Sequence, residues 1–489
     1  MVVWIPSALC LAVGLFAHCA PALDNGLALT PQMGWNTWNS FYCDLNEEVV
    51  LDAADKIVQL GFMDLGYEYI VLDDCWSAGR NSSDYLQPNL EKFPSGIDGL
   101  AAKIHAMGLK IGIYSSAGTK TCAHYEGSLG YEEKDAELWA SWGIDYLKYD
   151  NCYNEGQEGT PLLSFNRYNV MGKALNATGR PILYSLCNWG IDGPWNFAPT
   201  IANSWRITGD LFLNYNRETP ECPCAELGGL DCKLPGFRCS MMNVLNKAAY
   251  LPSKGFSGAW NDLDMLVVGN GGLTDDAMVA HFSLWAALKS PLLMTPVLSK
   301  VDAKSLSILQ NIAVLAISQD SAGLSATRKW RQYVGDADEF GREGEIQMFS
   351  GRLAGGDEVV LFLNAAATDR QMESSLEDIF WDRGPGGIAP EIQETWDIYD
   401  LWANRMDDET ALTIIHGNAS QEVMAERNLT ALGGPRKVFA KVPKSTSATF
   451  MGLKIGSVQP GGVVTAFVKA HGVAMFRLRR KPSLHRDEL

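Results

Sequence analysis

Short apolar runs three to six residues long recur along the first two thirds of the chain, and longer amphipathic stretches separate them. Met33–Trp35, Tyr69–Leu72, Lys110–Tyr114, Tyr146–Tyr149, Pro181–Leu186, Trp205–Thr208, Gly258–Trp260 and Ser290–Met294 read as eight strands. Asn46–Leu60, Gly96–Met107 and Glu132–Trp142 carry apolar residues at helical spacing between them. Eight βα units of this size predict a closed (β/α)8 TIM barrel. Polar and acidic residues cluster just after the strands, and in such barrels that end carries the chemistry while the opposite end serves stability. Near Arg328 the pattern changes. Glu345–Phe349, Val359–Leu363, Val438–Val442, Val464–Val468 and Gly472–Leu478 are short, turn-punctuated runs, which predict a C-terminal antiparallel β-sandwich. The expected organisation is a leader over residues 1–22, a barrel over 23–325 and a sandwich domain over 326–489 with an insertion at about 381–435.

Residues Tyr146 to Asp150 form the most informative strand. Side chains repeat every two residues, so Lys148 and Asp150 share a side, with Asp150 at the carboxyl end. A cation two residues before a carboxylate favours its charged form and lowers its pKa, as a carboxylate nucleophile requires. A structural ion pair would use the same two residues.

Composition is globular, with 47% apolar and 20% charged residues in 489 and a net charge of −17. That negative balance argues against nucleic acid and anionic membrane as partners. Fifteen tryptophans supply aromatic planes suited to sugar rings as well as to a core. Ile5 to Ala20 is almost wholly apolar and Ala20-Pro21-Ala22 offers a cleavage site, although a basic leading region is missing. The stretch is short for a membrane span, and a soluble, secreted chain is expected. Asn81, Asn176, Asn418 and Asn428 begin glycosylation triplets. The tail His485-Arg-Asp-Glu-Leu489 resembles an endoplasmic-reticulum retrieval signal with Arg in its first place, which leaves retention as an alternative to secretion.

Of eleven cysteines, Cys10 and Cys19 fall in the leader, leaving nine, which in an oxidising compartment suggests four disulfides and one thiol. Cys222, Cys224, Cys232 and Cys239 crowd into one Gly/Pro-rich excursion; two disulfides or a zinc knuckle are both compatible with the spacing. The seven histidines are scattered and support no nucleophilic triad. Asp73 and Asp74 could form a metal pair by type, but no matching histidine or third carboxylate accompanies them. No metal and no cofactor is expected.

Gly34-Trp-Asn-Thr-Trp-Asn39, Asp73-Asp-Cys-Trp76, Gly112-Ile-Tyr-Ser-Ser116, Lys148-Tyr-Asp-Asn-Cys152, Arg206-Ile-Thr-Gly-Asp210 and Asn261-Asp-Leu-Asp-Met265 occur in this order. Together they resemble glycoside hydrolase family 27, the α-galactosidase family of clan D, in a secreted member of fungal or plant type. The resemblance implies a retaining exo-glycosidase for terminal α-galactose, with Asp150 as nucleophile and Asp210 as acid/base. A retaining pair stands about 5–5.5 Å apart, and the acid needs a higher pKa than the nucleophile. The resemblance further implies that Asp73 and Asp74 grip the sugar on its O4 and O6 side and that Trp35 and Tyr114 wall the pocket. Lys148 would donate near O3, Asp264 accept near O2, and Arg206 touch the sugar or the catalytic carboxylates. Cys187 and Trp189 match the bulkier galactosidase pattern and would exclude a 2-acetamido group. Disulfides Cys43–Cys75 and Cys122–Cys152 and a free Cys187 are implied in the same way. An α-N-acetylgalactosaminidase, a β-L-arabinopyranosidase and a non-catalytic galactose-binding protein remain the alternatives, and no oligomeric state is legible.

Overall fold

The computed structural model describes residues 23–216, 239–337, 343–383 and 389–481. The leader, the retrieval-like tail and Cys222, Cys224 and Cys232 lie outside the described residues. Eight parallel strands form one curled sheet: β1 (Met33–Asn36), β2 (Tyr69–Val71), β3 (Lys110–Ser116), β4 (Tyr146–Asp150), β5 (Leu183–Cys187), β6 (Ser204–Arg206), β7 (Trp260–Asp262) and β8 (Leu292–Met294). They follow chain order around the sheet, with β8 beside β1. A parallel bridge between Leu266, just past β7, and Met294 joins the remaining gap, with the Leu266 N–H donating to the Leu293 carbonyl. The seventh strand starts two residues later than the sequence pattern suggested, so Asp262 ends it instead of following it.

Helices cover the outside. The first, α1 (Glu47–Gln59), is capped by Asn46, whose side chain accepts from the Val49 N–H, one of the donors a helix start leaves unpaired. After β2 come α2 (Gly96–Ala106) and, after β3, α3 (Glu132–Ser141); α4 (Pro161–Ala177) follows β4 and starts from a Thr160 cap with proline in its first turn. Their apolar stripes and the outward strand residues make one large core. A separate cluster inside the barrel holds Tyr69, Val71, Tyr146, Leu183 and Leu293. Tyr146 fixes the parity of β4: if it fills the barrel, Lys148 and Asp150 above it also point inward. The interior is thus apolar below and polar at the top.

The second domain opens with β9 (Thr327–Ala337), β10 (Glu343–Arg352) and β11 (Glu358–Asn364), followed by β12 (Arg370–Ser375), β13 (Trp396–Asp400), β14 (Leu453–Val458), β15 (Val463–Val468) and β16 (Gly472–Arg480). A six-stranded antiparallel sheet in the order β9-β10-β11-β16-β13-β14 faces the two-stranded sheet β12-β15. Met348, Val360 and Phe362 from one side meet Met372, Val464, Ala466 and Val468 from the other. Two expectations change here. The segment read as an insertion contains β13, which pairs with both β16 and β14 inside the larger sheet. Val438–Val442 is not a strand: Gly434, at φ 100°, and Pro435 start a helix, Pro435–Phe439, and Val442–Lys444 forms a 3-10 turn. Val438, Phe439 and Val442 are buried at helical spacing in the barrel-side core, so tertiary packing selects the helix over the local β-like composition. Arg405 and Asp275 form an ion pair across the two domains.

Asn81, Asn176 and Asn418 are exposed and Asn428 partly so. Among the described residues no helix is long and apolar enough to cross a membrane.

Gly34 on β1 is boxed in, because a Cβ there would sit 2.2 Å from the Tyr69 carbonyl oxygen on β2. Gly34→Ala should therefore force the first two barrel strands apart and destabilise the protein by about 1–3 kcal/mol, the usual cost of overpacking. A denaturant midpoint unchanged from wild type would contradict this close approach.

Candidate active site

A cavity opens at the carboxyl ends of the barrel strands, lined by Trp38, Asn39, Asp73, Tyr114, Cys122, Lys148, Asp150, Cys152, Trp189, Asp210, Asp264 and Met265. Asp150 is the last residue of β4 and is 6% exposed. One carboxylate oxygen accepts from the Tyr114 hydroxyl at 2.8 Å and the other from the Asn151 N–H at 2.9 Å. Asp210 reaches the cavity from the loop after β6, and its side chain is 47% exposed. One carboxylate is thus sealed into the barrel end while the other stands at its mouth.

Lys148 does not bond directly to Asp150. Its ammonium donates to Asp73 at 2.7 Å, and Asp73 also accepts from the Asn36 side chain at 2.8 Å. Burial opposes charge on Lys148, yet Asp73, Cys187 and Asp150 hold its pKa well above the ordinary lysine value. For Asp150 the sequence suggested a lowered pKa. Burial wins instead, pushing it up to about 6 against the pull of Lys148, with Asp210 adding to the rise. Burial also raises Asp74 and Asp264, and lifts Asp262 to about 6. The carboxylates Asp73, Asp74, Asp150, Asp210, Asp262 and Asp264 outnumber the cations Lys148 and Arg206, so the barrel end carries an excess of potential negative charge.

Arg206, at the end of β6, is buried and organises the side of the cavity that carries Asp210. Its Nη2 donates to Asp210 at 3.0 Å and the Gly209 carbonyl at 2.7 Å, and pairs with Asp264 at 2.9 Å. Asp264 in turn accepts from the Leu211 N–H at 2.7 Å, immediately after Asp210. Asp264 and Trp189 both hold left-handed backbone, at φ 79° and 58°. Such strain in non-glycine residues persists only where surrounding contacts fix it. Gly190 beside Trp189 has no alternative, since a Cβ would lie 2.1 Å from the Ile207 carbonyl oxygen.

The other expected residues separate into three groups. Asp73, Tyr114, Lys148, Trp189 and Asp264 line the cavity with the two candidate catalytic residues. Asp74, Cys187 and Arg206 stand in the surrounding wall. Asp74 accepts from the Cys75 and Ala123 N–H groups at 2.7 and 2.8 Å, tying the loops after β2 and β3. Cys187 lies level with Asp150 on the neighbouring strand, buried and free, 3.7 Å from an Arg206 donor. Trp35 alone points elsewhere. It sits level with Ile70, which faces the helices, and its indole donates to the Pro296 carbonyl at 2.9 Å. Trp38, three residues later, is the tryptophan in the cavity. Sequence reasoning also missed Asn39 and Met265, although all three lay within the quoted motifs; Trp38 and Asn39 open a single helical turn, Trp38–Phe41, after β1, where strand alternation no longer predicts direction.

Disulfides join Cys43 to Cys75 and Cys122 to Cys152. The second pair lines the cavity and clusters with Asp150, but its sulfurs are bonded to one another and offer no thiolate to a cation. Cys239 is also oxidised.

A (β/α)8 barrel with two carboxylates in one cavity at the carboxyl ends of its strands, beside further acids, an ammonium group and aromatic side chains, has the features of a glycosidase-type site. Residues 30–218 and 239–320 match the family described as Alpha galactosidase A, and residues 343–425 match the Alpha galactosidase C-terminal beta sandwich domain. The chain is 49% identical over 455 residues to an α-galactosidase of Zygotorulaspora mrakii, covering 93% of this chain and 95% of that protein. The solved α-galactosidase of Saccharomyces cerevisiae is 48% identical with a TM-score of 0.88, covering 94% of this chain and all of that one, and has also been solved with raffinose. α-Galactosidase I of Mortierella vinacea is 44% identical with a TM-score of 0.78, over 93% of this chain and 98% of that one. The chain belongs to the α-galactosidase family, glycoside hydrolase family 27.

The raised pKa of Asp150 has a measurable consequence for stability. A carboxyl raised from 3.8 to about 6 on folding contributes stability that is present below pH 4 and lost as pH rises through 6. Asp150→Asn removes that loss, so its thermal midpoint should exceed that of wild type at pH 7 and coincide with it near pH 4. A variant less stable than wild type at pH 7 would show that Lys148 outweighs burial.

Proposed function

We infer that this protein is a secreted α-galactosidase that removes terminal, non-reducing α-D-galactose from oligosaccharides, galactomannans or glycoconjugates with retention of configuration. The observation that carries the reading is the pairing of a sealed carboxylate, Asp150, with an open one, Asp210, on a single cavity. In a double displacement Asp150, ionised, attacks the anomeric carbon while Asp210, protonated, gives its proton to the leaving oxygen. Asp210 then takes a proton from the water that releases galactose. Its exposure suits a group that must meet both an aglycone and water. The glycosyl centre becomes cationic at the transition state, and an excess of buried carboxylate favours that charge over the neutral ground state.

Asp73 and Lys148 supply an acceptor and a donor for sugar hydroxyls in a fixed, charge-assisted arrangement. Trp38 and Tyr114 offer apolar faces to the ring. Trp189, held by Gly190, and the packed Cys187 leave little room beside C2, which supports a free 2-hydroxyl over an acetamido group. The leader, the glycosylation triplets and the disulfides support passage through an oxidising secretory route. Binding without turnover is disfavoured because both carboxylates are present.

Hydrolysis of nitrophenyl α-galactoside, α-N-acetylgalactosaminide and β-L-arabinopyranoside between about pH 4 and 6 tests the reading. A strong preference for the α-galactoside is expected, with Asp150→Asn and Asp210→Asn each folded and nearly inert. Full activity in either variant sinks the assignment, and preference for another sugar overturns the pocket.

A further inference from the structure

Behind the cavity, a buried cation holds the residue that follows Asp150. Asn151 is 2% exposed, and its side-chain amide is spanned between opposite charges. Arg167 donates through Nη2 to the Asn151 Oδ1 at 2.5 Å, while the Asn151 Nδ2 donates to Glu158 at 3.0 Å. A guanidinium on one side and a carboxylate on the other permit only one of the two orientations of that amide. With the side chain so fixed, the Asn151 N–H is aimed at the Asp150 carboxylate.

Arg167 stands on α4, is 3% exposed, and uses the rest of its fork on main-chain oxygens. Nε donates to the Gln157 carbonyl and Nη1 to the Ala117 carbonyl, both at 3.0 Å. Ala117 follows β3, and its own N–H donates to the Asp150 carbonyl at 2.9 Å. Tyr168, next on the helix and 4.5 Å under the guanidinium, donates to the same Asp150 carbonyl at 3.2 Å. One side chain therefore joins the end of β3, the residue after Asp150 and the β4–α4 loop. Among the described residues no carboxylate is in ion-pair contact with Arg167. A charge so buried is costly unless its donors are used, and here each of its three nitrogens donates to the frame around Asp150.

We propose that Arg167, acting through Asn151 with Glu158 as the outer anchor, is a positioning residue that fixes the orientation of the Asp150 carboxylate for attack. The proposal rests on the assignment of Asp150 as nucleophile. Arg167 does not line the cavity that holds Asp150, so its loss should act on turnover. In Arg167→Met the Asn151 Oδ1 loses its charged donor and keeps only the longer bond from the Tyr168 hydroxyl at 3.3 Å, and kcat should fall roughly 10- to 100-fold, the scale of a slightly misplaced reacting group. KM and inhibition by free galactose should stay within about twofold of wild type, as for an interaction not used in ground-state binding.

The pH profile separates positioning from folding. The groups facing Asp150 are Lys148 on its own strand with Asp73 beyond it, Tyr114 on β3, Cys187 on β5, Asp210 from the β6 loop and Tyr168 on α4. Arg167→Met leaves all of these in place. The Asn151 N–H is among the influences that lower the Asp150 pKa, so slackening it should move the acid limb of kcat/KM to higher pH.

The test uses the full-length protein with Arg167→Met, Arg167→Lys and Glu158→Gln, measuring kcat, KM, galactose inhibition, pH profiles and melting together. Reduced kcat with preserved KM, an upshifted acid limb and partial recovery in Arg167→Lys support the proposal. Folded Arg167→Met with wild-type kcat, or activity lost only in step with the folded fraction at an unmoved acid limb, overturns it. If Arg167→Met does not fold, Glu158→Gln decides, since it weakens the outer anchor, which Asn154 shares, and leaves Arg167 in place: a lower kcat with the limb shifted upward supports, and no change in either overturns. Wild-type turnover and its loss in Asp150→Asn, run alongside, test the underlying function separately. An inert wild type would remove both readings.

Discussion

Lys148 is an ammonium group held inside a barrel, and compensating it shapes everything around the cavity. Its own strand supplies Asp150 two residues on, and the loop after β2 supplies Asp73 in direct contact. Because water is excluded, these charges interact far more strongly than on a surface. Yet the compensation runs past neutrality: carboxylates outnumber cations, and burial keeps several of their pKa values raised. The fold thus tolerates a group of acids that would prefer water, a cost of the kind found at sites that act on charge.

Rigidity around this group comes from three kinds of tie. Disulfides pin the loops after β1 and β2 and after β3 and β4. Arg206 and Asp264 bind the loop that carries Asp210. Arg167 gathers the loop after Asp150 from behind. Left-handed residues at Cys75, Trp189 and Asp264 occur where these ties converge. Loops are ordinarily the mobile part of a barrel, and here each loop with a candidate reacting group is anchored to a helix or a neighbouring strand. Electrostatic catalysis needs that preorganisation, since groups that must reorient during reaction forfeit much of their effect.

The barrel was legible because parallel strands covered on both faces are short apolar runs, and amphipathic helices between them carry a distinct period. The acids of the site were legible because they cluster at strand ends. Trp35 was misread for Trp38 because a tryptophan suits either face of a barrel strand, and only the register of β1 against β2 distinguishes them. Val438–Val442 was misread because five apolar and polar residues fit strand or helix, and the barrel surface made the choice. The strand Trp396–Asp400 was hidden in an apparent insertion because its partners, β16 and β14, come later in the chain.

By itself the sequence determined the barrel and sandwich classes, the family, and which carboxylates gather at one end, for these depend on local period and on motifs within a few residues. The tertiary structure alone decided that Lys148 pairs with Asp73, that Asp150 is pushed up in pKa instead of down, and that Arg167 reaches Asn151. Those outcomes depend on burial and on contacts between residues 16 to 75 positions apart. A chain read in one dimension contains neither the solvent excluded by its fold nor the neighbours that replace it.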